Sequence, residues 1–145
     1  MIGLIQRVTS AQVNVDGTVV AEINQGLVLL LGIQKKDSDN SAEQMLKRVL
    51  GFRVFSDESC RMNLSLKDVS GSLLIVSQFT LAADTRKGLR PSFSGAAPPE
   101  HAKLLYEYFV ERARTSYKNV ATGIFGANMQ VSFCNDGPVT FMLES

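Results

Sequence analysis

Tryptophan is absent, histidine occurs once and cysteine twice, and no apolar run approaches the roughly 18 residues of a membrane span. Each absence removes a class of chemistry. A lone His101 cannot build a histidine-rich metal cluster, and it permits a Ser-His-Asp arrangement only if it is itself the base. It follows Pro98-Pro99-Glu100, in what reads as the first turn of a helix, so it is expected on the solvated surface. Cys60 and Cys134 are far apart in a chain whose opening residues lack the charged and apolar regions of a signal peptide. They read as free thiols in a reducing cytoplasm, and neither a disulfide nor a metal site is expected.

Charge of one sign is also not in excess. Fifteen basic against 14 acidic residues give a net charge of +1, which argues against broad electrostatic wrapping of nucleic acid. A short single-stranded end, with few phosphates to neutralise, remains compatible. An aromatic content of 8% without tryptophan counts against the main alternative to an enzyme, a non-catalytic β domain that holds single strands by stacking.

What is present fits one domain spanning residues 1–145: 45% hydrophobic and 20% charged residues, enough to bury a core. Ile2 to Val15 alternates loosely, and Asp16-Gly17 predicts a tight hairpin turn, because both central residues of such a turn need positive φ. The return strand is Thr18 to Ile23. The run Leu27 to Ile33 reads as a strand buried on both faces. Asn40 and Glu43 resemble a capping box opening a helix over 41–51, whose inner face is Met45, Leu46, Val49 and Leu50. Phe52 to Phe55 predicts a further strand, and Asn63 to Ser72 a loop or short edge element. Residues 82–99 hold three of the four prolines and little periodicity, so a long surface loop is expected there. Pro98-Pro99 then open a second helix with an apolar stripe of Ala102, Leu105, Phe109 and Ala113, and Tyr108 alongside. Val120 to Phe125, Asn128 to Cys134 and Val139 to Leu143 complete the strands. The expected class is α+β with a strongly curved sheet.

The stretch of greatest chemical interest is Leu73-Leu74-Ile75-Val76 followed by Ser77-Gln78-Phe79-Thr80-Leu81. A buried strand that turns polar at its end delivers fixed side chains to a cleft. By strand alternation Ser77 and Phe79 share one face, and Gln78 and Thr80 the other. No base neighbours Thr80 in sequence, and a free alcohol is a weak nucleophile at neutral pH. Near the end stands Asn135-Asp136-Gly137-Pro138-Val139-Thr140. By itself this reads as a turn between strands; glycine also lets backbone approach a ligand closely, and an X-Pro bond has little preference for trans.

Taken together, these two motifs, the opening Met1-Ile2-Gly3-Leu4-Ile5-Gln6-Arg7-Val8 and the segment Lys87 to Phe93 resemble the D-aminoacyl-tRNA deacylase family, along the whole chain. The resemblance implies a mostly antiparallel, barrel-like β structure flanked by two helices. It also implies a cytoplasmic homodimer with active sites at the subunit interface, acting on the 3′ acceptor end of aminoacyl-tRNA without a cofactor. Backbone N–H groups around Gln78, Phe79 and Thr80 are then the candidates to stabilise an oxyanion. The attacking assistance comes either from Thr80 or from the RNA 2′-hydroxyl, and the lack of a base favours the second. Gly137-Pro138 resembles a Gly-cisPro motif placed by one subunit in the other's site, where its carbonyls exclude side chains on the L face. Glycine, with no side chain on either face, would escape that exclusion. Ser77 and Met129 would contact substrate and Arg7 would brace the Gly137-Pro138 carbonyls. Arg86, Lys87 and Arg90 would meet tRNA phosphates, although a solvated basic loop explains them equally well. A conventional serine or threonine hydrolase fits poorly for want of a base.

Overall fold

The computed structural model describes residues 1–86 and 88–145. Its organising strand is β1 (Ile2–Val15), whose length lets it pair with three others. The Asp16–Gly17 turn, with φ of 51° and 81°, folds β1 back into β2 (Thr18–Ile23), as the sequence predicts. The first half of β1 pairs antiparallel with β3 (Gly26–Gly32), and its whole length pairs on the other side with β8 (Gln130–Glu144).

Two crossovers complete the sheet. From β3 the chain passes through α1 (Asp39–Gly51) and a small hairpin of β4 (Phe55–Ser56) and β5 (Met62–Leu64) into β6 (Ser72–Ser77), parallel to β3. From β6 it passes through α2 (Pro99–Ser116) into β7 (Val120–Thr122), parallel to β6. Parallel neighbours need such crossovers, and both helices end on one face of the sheet. Strand order is β2-β1-β3-β6-β7, and the outer strands β2 and β7 pack on each other, so the curved sheet is nearly closed.

Both faces of β3 and β6 are buried. Leu27, Leu29, Leu31, Leu73 and Ile75 face the helices and meet Met45, Val49, Leu105 and Phe109. Val28, Leu74 and Val76 point into the barrel, beside Val8, Ala11, Val13 and Ile23. This is why both strands read as continuous apolar runs instead of alternating.

Four expectations need correction. The α1 helix starts at Asp39, with Ser38 as its N-cap and the Ser38 N–H donating to Ser41 Oγ at 3.3 Å, so Asn40 and Glu43 form no capping box. Glu43 instead accepts from Tyr108 Oη at 2.8 Å on α2, where Tyr108 packs half-buried alongside the core as expected, while Tyr106, missing from the expected stripe, is buried in it. The strand expected from Phe52 is only Phe55–Ser56. The two strands expected at the C-terminus are one: β8 runs through Asn135-Asp136-Gly137-Pro138, where its register against β1 shifts. A bulge accommodates glycine and proline inside a strand without ending it.

Candidate active site

β6 ends at Ser77, and the chain then tightens into a 3₁₀ turn over Phe79–Ala82. The strand alternation expected through Thr80 therefore stops at Ser77. What drives the turn is visible at Gly32. A Cβ there would lie 2.9 Å from Leu81 Cβ and 3.1 Å from the Gln78 carbonyl oxygen, so only glycine lets the turn settle on the end of β3. The Gln78 N–H donates to Leu31 O at 2.8 Å and is spent. That removes one of the three expected oxyanion donors. Phe79 and Thr80 begin the turn, and N–H groups in the first positions of a helical turn have no acceptor within it.

Beside this turn lies a cavity of about 480 Å³, between the ends of β3 and β6, the start of α2 and the segment 125–131. Ser77, Gln78, Phe79 and Met129 all line it, together with Ala97, Ala102, Phe125 and Asn128. None of its lining residues titrates. Phe125 is half-buried and packs on Tyr106 with ring centroids 5.6 Å apart. Tyr106 donates from Oη to Ile75 O at 3.1 Å, and burial pushes its hydroxyl up to about 12, so it stays neutral and simply props β6 from behind. Thr80 is exposed, and its Oγ1 accepts from Gln78 Nε2 at 2.5 Å. His101 stands on the surface, its Nε2 3.2 Å from Asp37 O, and contributes nothing to the cavity.

Gly137 and Pro138 lie elsewhere in the chain. They are exposed on the bulge of β8, joined by a cis peptide bond, and do not line the cavity of their own chain. Arg7 lies beneath them. Its Nε donates to Asp136 O at 3.0 Å and pairs with Asp136 Oδ2 at 3.1 Å, while Nη1 donates to Val54 O at 2.6 Å. Arg7 thus braces the bulge through the residue before Gly137, not through the Gly137-Pro138 carbonyls. The sequence reading assigned no part to Asn135, which bridges the bulge: its Oδ1 accepts the Val139 N–H and its Nδ2 donates to Thr140 Oγ1, both at 2.9 Å. Its place four residues before Val139, across a Gly-Pro pair, is the signal that could have found it.

The basic loop is partly committed to itself. Arg86 makes a two-pronged ion pair with Asp84, at 2.9 and 2.7 Å, and those hydrogen bonds hold the Asp84 carboxyl well below the usual carboxylate range. Arg90 is exposed. Lys87 lies outside the described residues.

With this geometry in place, comparison with known proteins is specific. The family model described as D-Tyr-tRNA(Tyr) deacylase matches residues 4–144. The chain belongs to the D-Tyr-tRNA(Tyr) deacylase family. Among its relatives, the D-aminoacyl-tRNA deacylase of Cellvibrio japonicus (strain Ueda107) is 61% identical over 144 residues, covering 99% of each chain. That of Stutzerimonas stutzeri (strain A1501) is 58% identical over 145 residues, covering 100% of each. A solved structure described as c-Myc DNA Unwinding Element Binding Protein superposes with a TM-score of 0.96 at 42% identity, covering 100% of this chain and 99% of that one. The fold alone is shared with a probable eukaryotic D-amino acid tRNA deacylase, TM-score 0.85 at 18% identity, covering 99% and 98%. The deacylase family thus accounts for the whole chain, and the nearly closed, two-helix β fold agrees with the expected architecture.

Proposed function

We propose that the chain hydrolyses the ester of D-aminoacyl-tRNA, releasing the D-amino acid and tRNA, as a quality-control step of cytoplasmic translation. The observation that carries this is the cavity at the end of β6. It is apolar, lacks titratable side chains, and is edged by a turn whose first N–H groups have no partner in that turn. Such a site can orient an ester and stabilise a developing oxyanion, but it cannot supply a base. An aminoacyl-tRNA ester brings its own polar assistant, the 2′-hydroxyl beside the scissile bond. In this mechanism the terminal adenosine enters between Phe125, Met129 and Phe79, with Ser77 beneath the amino acid. The N–H groups of Phe79 and Thr80 meet the carbonyl oxygen. Water, helped by the 2′-hydroxyl, adds to the carbonyl carbon; the tetrahedral adduct collapses, the C–O bond to the ribose breaks, and the ribose oxygen takes a proton.

Chirality is read by Gly137-Pro138 of a second subunit. Two features support a homodimer. The bulge that carries the motif is exposed and stands off its own chain's cavity. β8 itself is a 15-residue strand with one neighbour, β1, and it leaves Phe133, Phe141 and Met142 exposed, with Met142 at 60%. A long apolar edge of this kind is normally covered. Carbonyls of the partner's motif, on a bulge that Arg7 braces through Asp136 and Asn135 braces through Val139 and Thr140, would close the L face of the substrate α-carbon, so glycyl-tRNA is also accepted.

The test is incubation with matched D- and L-aminoacyl-tRNAs. Turnover of the D form with the L form spared is expected. Binding without turnover would point to a nucleic-acid-binding module, and indifference to chirality to an ordinary hydrolase.

A further inference from the structure

Two phenylalanines stand in solvent at the mouth of the cavity instead of in a core. Phe79 lines the cavity and is 60% exposed; Phe93, on the loop that rims it, is 41% exposed. Their ring centroids are 5.1 Å apart, with the planes inclined by 51°. One exposed apolar side chain needs no explanation, but a contiguous aromatic pair beside a cavity marks a binding surface. The loop that presents Phe93 is pinned. Asp84 and Ser92 exchange backbone hydrogen bonds of 2.7 and 3.0 Å, the Ala96 N–H donates to Phe93 O at 3.0 Å, and the Lys35 N–H donates to Gly95 O at 3.2 Å. Phe93 is therefore held in place without being buried, as a preorganised contact requires.

A cavity of about 480 Å³ is of the size that holds one small ligand. A terminal adenosine with its amino acid fills it, so the nucleotide before it must lie outside, across the rim. Every base offers an apolar π-face, and unpaired RNA bases are recognised by stacking on aromatic side chains. Positive charge for the intervening phosphates is at hand, since Lys35, Lys36 and Arg90 are all exposed on the strands of chain that meet at this rim.

We propose that Phe93, backed by Phe79, is the stacking platform for the penultimate base of the aminoacyl-tRNA 3′ end. This rests on the deacylase reading, because it assumes that the terminal nucleotide occupies the cavity. Phe93 then ties affinity to an unpaired 3′ end, which a free aminoacyl-nucleoside does not possess.

The test uses the full chain and an RNA tetranucleotide, ACCA, carrying 2-aminopurine in place of its penultimate base. Stacking on Phe93 quenches the fluorophore in the wild type. In Phe93→Ala the quench is lost and binding weakens about tenfold, as expected for one base–aromatic stack. Phe93→Tyr restores both, and adenosine alone binds all three proteins equally. Unchanged quenching in Phe93→Ala overturns the proposal, as does an equal loss of adenosine binding, which would make Phe93 a wall of the cavity. A change in mass of Phe93→Ala by sedimentation also overturns it, because a second copy would then cover the pair. Deacylation of D-aminoacyl-tRNA by the wild type is scored separately; its absence refutes the deacylase reading, while the fluorescence still decides the platform.

Discussion

Gln78 donates from its side-chain amide to the hydroxyl oxygen of Thr80 across 2.5 Å, two residues along the same turn. The amide ties the hydroxyl oxygen into the turn, and the cavity offers no base to take the hydroxyl proton. On the proposed mechanism Thr80 serves the architecture of the turn and not the attack. Thr80→Ala should keep its single-turnover rate on D-aminoacyl-tRNA within about tenfold of wild type, a barrier change of about 1.4 kcal/mol. A fall to the uncatalysed rate, in a folded protein that still binds the substrate analogue, would make Thr80 the nucleophile.

His101, the one histidine of the chain, faces Asp37 O on the surface and does not line the cavity. Wild type and His101→Gln should therefore give superimposable pH–rate profiles between about pH 5 and 8. Any inflection common to both belongs to the substrate, whose α-amino group titrates near its upper end. An inflection present only in the wild type would assign His101 to the chemistry.

Gly32 should be the point where stability and activity part. An added Cβ meets Leu81 Cβ and the Gln78 carbonyl, both fixed to the backbone of the turn, so Gly32→Ala must push the turn outward. Overpacking of this kind costs about 1–3 kcal/mol, less than the about 5–15 kcal/mol by which domains are ordinarily stable. The N–H groups of Phe79 and Thr80, the proposed oxyanion donors, move with the turn, and small displacements of positioned groups lower rates about a hundredfold. Denaturant melts and single-turnover rates on the same preparation check this. A stability loss with an unchanged rate would mean that the turn does not position the ester.

Much of this was legible in the residues. Asp16-Gly17 specifies its turn locally, the β3 run is apolar on both faces because both faces are covered, and Pro98-Pro99 mark the start of α2. The SQFTL motif does lie where a buried strand meets a cavity. Other features depend on partners distant in sequence. The 3₁₀ turn at Phe79 exists because Gly32, 47 residues earlier in the chain than Phe79, leaves room for it. Gly137-Pro138 reads locally as a break, yet continued pairing with β1 and the side chain of Asn135 carry the strand through it. Tyr106 lies four residues after Ala102 and three before Phe109, so the helical period itself places it on the buried face of α2, a signal the expected stripe left unused.

Gly137 offers the sharpest test of whether the bulge and the cavity form one site. Its φ of +134° disfavours any side chain, and a Cβ would lie 2.6 Å from Val139 Cγ2 and 3.1 Å from Arg7 Nη2. Gly137→Ala should therefore distort the bulge without touching the cavity of its own chain, lowering both the D-substrate rate and the D-to-L preference. A cavity-filling variant, Ser77→Phe, should be inactive for a different reason. If the bulge serves the partner's cavity, mixing the two variants restores activity. In the mixed dimer the open cavity of the Gly137→Ala chain meets the intact bulge of the Ser77→Phe chain, so one of its two sites is whole. If each bulge serves its own chain, every site in the mixture carries one defect and no activity returns. The measurement is D-aminoacyl-tRNA deacylation after co-refolding the two variants at equal concentration, against each refolded alone. Recovered activity that spares the L substrate is the expected result; a mixture no more active than its components would end the two-subunit reading.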